Sequence, residues 1–125
     1  MWLMTTEGMF SAVCPRTEEG RGLDIETDKI MVRARVRGHL ETLQIRFPTL
    51  REAELIETPH ADYRFRIIVP KQAWADAVAE MISEQEYTNF KNAAAAAQGP
   101  DDGGYVHALH DVWSVMYGLQ RRNVP

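Results

Sequence analysis

A chain of 125 residues with net charge −4 and 45% hydrophobic residues has the composition of an ordinary globular domain, long enough to bury a core without metal or disulfide staples. The acidic balance excludes the global basic field that draws proteins to nucleic acid, and no apolar run approaches the ~18 residues of a membrane span. The single cysteine, Cys14, excludes an internal disulfide and reads as a strand residue rather than a nucleophile. The N-terminal Met1-Trp2-Leu3-Met4 meets Thr5, Thr6 and Glu7 at once and lacks a basic leader. These features together lead us to expect a reducing cytoplasm.

Trp2 to Cys14 is rich in strand formers and interrupted at Glu7-Gly8, predicting one strand or two short ones, ended by Pro15. Pro15 to Asp28 is polar and carries Gly20 and Gly22, which predicts a long loop. Residues 30–37 alternate: Ile30, Val32, Ala34 and Val36 point one way, and Met31, Arg33, Arg35 and Arg37 the other. Gly38 breaks that strand, and Leu40, Leu43 and Phe47 recur at helical spacing until Pro48. Ala53 to Glu57 predicts a short strand, and residues 58–62 have turn chemistry. Tyr63 to Val69 predicts a strand with Tyr63, Phe65, Ile67 and Val69 toward the core and Arg64, Arg66 and Ile68 away from it. Pro70 opens a helix striped by Trp74, Val78, Met81 and Ile82. A further helix follows from Thr88 to Gln98, capped by Thr88 or Asn89 and stopped by Gly99-Pro100. The last spans Tyr105 to Leu119, with residues 121–125 expected to fray.

The order from Ile30 to Glu84 is strand, helix, strand, strand, helix, the opening of a split βαβ unit. The expected fold is α+β: a ferredoxin-like antiparallel sheet, permuted so that the N-terminal strand is added beside residues 30–37. Helices cover one face and extra helices follow at the C-terminus. No internal repeat or linker divides residues 1–125, so a single domain is expected.

Two constellations carry chemistry. If strands 30–37 and 63–69 are neighbours, Arg33, Arg35, Arg37, Arg64 and Arg66 share one face of an acidic protein. The first reading is a solvated face crossed by ion pairs to Glu54, Glu57 and Asp62, worth ~0.2–1 kcal/mol each. The second is a protein interface, since Met31 and Ile68 interleave with the arginines. The third is an anion or nucleic-acid site. Base stacking, ~1–3 kcal/mol per base, is absent from that reading because Tyr63 and Phe65 are expected on the core side, so nucleic acid is disfavoured.

The C-terminal helix is apolar over more than half its circumference: Tyr105, Val106, Leu109, Val112, Trp113, Val115, Met116 and Leu119. It is therefore expected to be covered on two sides, the second cover being either the alanine-rich helix or another protomer. His107, His110, Asp111 and Ser114 fill the remainder. An exposed polar stripe is the first reading of the His107, His110 and Asp111 trio. A transition-metal site or a general base with its orienting acid are the others. No HExxH, CxxC, GxSxG or phosphate-loop motif accompanies them, so no metal and no cofactor is expected.

The opening Met1-Trp2-Leu3-Met4-Thr5-Thr6-Glu7-Gly8, the segment 30–37 with its following helix, and the closing His110-Asp111-Val112-Trp113-Ser114-Val115-Met116-Tyr117 together resemble a group of small uncharacterised bacterial proteins. That resemblance implies a bacterial, cytoplasmic origin and transfers no activity. The expectation for function is a binding or interaction domain that forms a homodimer through the sheet face or the C-terminal helix. The alternatives are a small ferredoxin-like enzyme using the His/Asp trio, and a weak anion or nucleic-acid binder.

Overall fold

The side chain of Thr5 shapes the first turn. Its hydroxyl accepts the N–H groups of Glu7 (3.1 Å) and Gly8 (3.2 Å) and donates to the Gly8 carbonyl (3.0 Å). The chain reverses there, as the interruption at Glu7-Gly8 predicts, and β1 (Trp2–Thr5) pairs antiparallel with β2 (Gly8–Val13). The computed structural model describes residues 1–17 and 24–125, which form two compact units, Met1–Glu86 and Tyr87–Pro125. The middle of the loop predicted from Pro15 to Asp28, with Gly20 and Gly22, lies outside the described residues. Its two ends pair through an antiparallel bridge between Arg16 and Ile25.

The first unit is a mixed α+β arrangement around a five-stranded antiparallel sheet of order β1-β2-β3-β5-β4. Its later strands are β3 (Lys29–Ala34), β4 (Ile56–Glu57) and β5 (Phe65–Pro70). β3 and β5 lie side by side, the condition on which the shared arginine face depended, with Val32 opposite Ile67 and Arg33 opposite Arg66. Branched and aromatic residues of alternate positions (Phe10, Ala12, Val32, Ala34, Ile67, Val69) form one face. Three helices cover that face: α1 (Arg37–Arg46), the short α2 (Pro48–Arg51) and α3 (Lys71–Ser83). Leu40, Leu43, Phe47, Leu50, Trp74 and Ala77 complete the core. Among the described residues no helix of this unit covers the opposite face of the sheet, where Met9, Ser11, Val13, Met31, Arg33, Arg66 and Ile68 fall by register.

Several boundaries differ from expectation, each for a local reason. β3 ends at Ala34, and Arg37 opens α1 instead of continuing the strand. The β5 partner goes no further, because Ala34 pairs with Phe65, the first residue of that strand. The strand predicted over 53–57 shrinks to Ile56–Glu57, since Gln44 donates to the carbonyls of Leu50 (3.0 Å) and Ala53 (2.8 Å) and holds residues 50–53 in a turn. Pro48 ends α1 and also opens α2, its missing N–H costing nothing at a first helical position. On α3 the inward stripe is Trp74, Ala77, Val78 and Met81. Ile82 is 66% exposed because it sits roughly 80° around the helix from Trp74.

The second unit is a helix pair, α4 (Phe90–Gln98) and α5 (Tyr105–Arg122). Asn89 caps α4 by accepting the Asn92 N–H at 3.0 Å, and Gly99 ends it with φ +73°. Asp102 accepts the N–H groups of Gly104 (2.8 Å) and Val106 (3.1 Å) to start α5. α5 extends to Arg122, past Arg121, where fraying was expected to start. Arg121 and Arg122 in the last turn complement the negative end of the helix dipole.

Candidate functional site: the arginine face and the C-terminal helix

The five arginines do not form one uniform patch. Arg33 and Arg66 stand directly opposite each other on the sheet. Arg35 lies beyond the end of β3, where its guanidinium sits 3.3 Å from Asp62. Arg37 lies in the first turn of α1, 3.6 Å from Glu41 and 4.0 Å from Glu57. Arg64, before β5, reaches the same Glu57 at 2.7 Å. Arg37 and Arg64 thus share a carboxylate and flank Phe65, with their Cζ atoms 6.0 and 5.8 Å from its ring centre. Three of the five arginines therefore match the ion-paired reading, through Glu57 and Asp62 of the expected carboxylates. Such exposed pairs add ~0–1 kcal/mol each.

Tyr63 corrects the expected face. It is 4% exposed but stands apart from the helix-covered core. Arg33 and Arg35 both stand over its ring, their Cζ atoms 4.6 and 4.1 Å from the centroid, and Arg66 donates to its carbonyl at 3.0 Å. The physical reason is that β5 begins at Phe65, so the alternation of the strand does not extend back to Tyr63. An aromatic ring therefore does sit among the arginines. Being buried beneath them, it offers no free face on which a base could stack, and its contribution is cation–π packing.

Ser11 and Met31 complete this cluster; the sequence marks Met31 as interleaved with the arginines but does not single out Ser11. The Arg33 guanidinium donates to Ser11 Oγ at 2.8 Å, and Arg66 Nη1 lies 3.9 Å from Met31 Sδ. The signal for Ser11 was its position between Met9 and Val13, opposite in phase to Phe10 and Ala12. It acquires meaning only once β2 is known to pair with β3, with Ser11 opposite Arg33.

The trio on α5 separates. His107 Nε2 lies 3.6 Å from Asp111 Oδ2, both groups well exposed. His110 turns elsewhere: its Nδ1 is 3.3 Å from Lys91 Nζ on α4, and its ring stacks on Trp113 at 6.2 Å. Trp113 in turn stacks on Tyr117 at 5.2 Å, with Lys91 Nζ 5.1 Å from its centroid. His110 is thus the foot of an aromatic ladder at i, i+3 and i+7. Among the described residues no group of three or more His, Cys, Asp or Glu side chains is placed to hold a metal ion.

The second half of α5 carries a run of exposed apolar side chains. Trp113, Val115, Met116, Tyr117 and Leu119 are 53%, 68%, 56%, 47% and 43% exposed. No helix among the described residues is long and apolar enough to cross a membrane. Comparison with known proteins adds no relative: no protein-family model, no curated protein and no solved structure matches the chain.

Proposed function

We propose that the chain is a non-enzymatic binding domain that pairs with a second copy of itself through the C-terminal half of α5. The observation that carries this reading is a mismatch of helix lengths. α5 has 18 residues and α4 has 9, about 27 Å against about 14 Å at 1.5 Å per residue. Tyr105, Leu109, Val112, Met116 and Leu119 recur at intervals of four and three, the spacing of a helix–helix seam. Along that seam Tyr105 and Leu109 are each 5% exposed, whereas Met116 and Leu119 are about half exposed. Lys91, near the start of α4, reaches only as far as His110 and Trp113. The seam therefore outruns its partner helix.

A second α4–α5 pair, related by a twofold axis, supplies the matching seam and would close a four-helix arrangement. Covering a Met or Leu side chain is worth about 1.5–3 kcal/mol when complete, so partly exposed Met116 and Leu119 contribute about 1 kcal/mol each per copy. A symmetric contact doubles the sum. The lone Cys14 and the resemblance of the sequence to small bacterial proteins favour a bacterial cytoplasm as its setting. We read the sheet as a permuted ferredoxin-like arrangement. What supports this is that β3, α1, β4, β5 and α3 follow the split βαβ order, with β2 in the place of the missing strand.

Sedimentation equilibrium of the full chain tests the self-association. The expected result is a dimer at tens of micromolar, converted to monomer by Met116→Glu with Leu119→Glu, a loss of at least a hundredfold in affinity. His107→Ala with Asp111→Ala should leave the dimer intact. A native chain that sediments as a monomer at high micromolar concentration, or a doubly charged variant that stays dimeric, overturns the reading.

A further inference from the structure

Charge compensation on the arginine face is selective. Arg35, Arg37 and Arg64 each meet a carboxylate. Arg33 and Arg66 meet none among the described residues, although they oppose each other across β3 and β5. Like charges in that position repel. Neither side chain relieves the repulsion by extending fully into water, because both are partly buried. The Nε atom of each is buried and has no hydrogen-bond partner among the described residues, an unfavourable state for a charged group.

Both guanidiniums are also held in place. Arg33 lies over the Tyr63 ring and donates to Ser11 Oγ at 2.8 Å. Arg66 is tied to the Tyr63 carbonyl at 3.0 Å. One residue, Tyr63, thereby anchors two cations most of whose terminal N–H groups are unused. A guanidinium presents five N–H donors in a fixed fork, and its two terminal nitrogens can together hold an oxyanion in two-point fashion.

We propose that Arg33 and Arg66 form a binding site for a phosphate group. Two guanidiniums match the charge of about −1.5 to −2 carried by a phosphate monoester near neutral pH, and its three free oxygens accept from both forks. A single carboxylate would balance only one of the two. The other three arginines are not part of the site, since their forks are already occupied by Asp62, Glu41 and Glu57. This inference does not depend on the oligomeric state of the chain.

The test is a titration of the full-chain protein with inorganic phosphate and, in parallel, phenyl phosphate. Ionic strength is held constant with sodium chloride, acetate serves as the carboxylate control, and the arginine Nε–H resonances are followed by NMR. The expected result is saturable movement of two of these resonances with one or both phosphate probes and much weaker movement with acetate. Arg33→Gln and Arg66→Gln should each weaken phosphate binding at least tenfold, whereas Arg35→Gln and Arg64→Gln stay within a factor of two. Because the native chain gives the primary readout, the test survives a variant that fails to fold. Absence of saturable movement with either phosphate probe overturns the proposal. So does acetate acting as strongly as phosphate, or an equal loss in Arg35→Gln.

Discussion

Replacing Gly8 with alanine tests how the N-terminal hairpin is seated on the first helix. An ideal Cβ at Gly8 would lie 2.2 Å from His39 Cγ, 2.6 Å from its Cβ and 2.6 Å from Nδ1. Ordinary contact is 3.4–4 Å, so one partner must retreat by more than an ångström. His39 has little room: it is 4% exposed, its Nδ1 accepts the Met9 N–H at 3.3 Å, and its ring meets Phe10 edge-on at 6.3 Å. Overpacking of this kind costs about 1–3 kcal/mol. Gly8 also has φ +152°, where a side chain adds a further ~1–3 kcal/mol of backbone strain. Gly8→Ala is therefore expected to destabilise by about 4 kcal/mol, a large share of the ~5–15 kcal/mol typical of a domain. Urea unfolding followed by circular dichroism measures it, and the midpoint should fall by about 2 M. The control is Gly38→Ala, where nothing lies within 4 Å of the added Cβ and the helix position should gain ~0.4–1 kcal/mol. A double-mutant cycle with His39→Ala isolates the imidazole ring's share of the clash, since alanine keeps the Cβ that lies 2.6 Å away. A Gly8→Ala chain within about 0.5 kcal/mol of native, or a cycle showing no coupling, would falsify the reasoning.

Two further predictions separate interactions that matter from those that decorate the surface. Arg46 joins Glu7 in the first turn to Glu84 at the end of α3, and Glu7 is only 11% exposed at its side chain. Arg46→Ala should cost about 1–3 kcal/mol by leaving a mostly buried carboxylate unpaired, whereas Arg64→Ala, at an exposed pair, should cost under about 1 kcal/mol; the two unfolding curves in urea decide it. The Tyr63 hydroxyl is buried with no hydrogen-bond partner among the described residues. Tyr63→Phe is accordingly expected to be neutral or to stabilise by up to about 1 kcal/mol. A loss larger than that in a thermal melt would mean the hydroxyl is bonded.

The alternation of residues 30–37 and 63–69 marked which face of β3 and β5 is apolar, because a one-residue slip would turn Val32, Ala34, Ile67 and Val69 to the other side; that the two strands are neighbours was expected only from the split βαβ order. Helix ends marked by Pro48, Asn89 and Gly99 were legible for the same local reason: missing donors, cap acceptors and positive φ act within a few residues. The places where the sequence misled are those where a distant partner decides. Tyr63 continues the strand's alternation on paper, yet it turns to the arginines because the ladder stops at Phe65. His107, His110 and Asp111 share a helix face by spacing, but Lys91 and Trp113 draw His110 away.

Local chemistry and periodicity thus determine which segments become strands and helices and which face of each is apolar, since both depend on neighbours a few positions apart. Only the tertiary structure decides which arginines find a carboxylate and which two confront each other without one. That outcome depends on how strand register brings residues 33, 66 and 11 together from three separate stretches of chain.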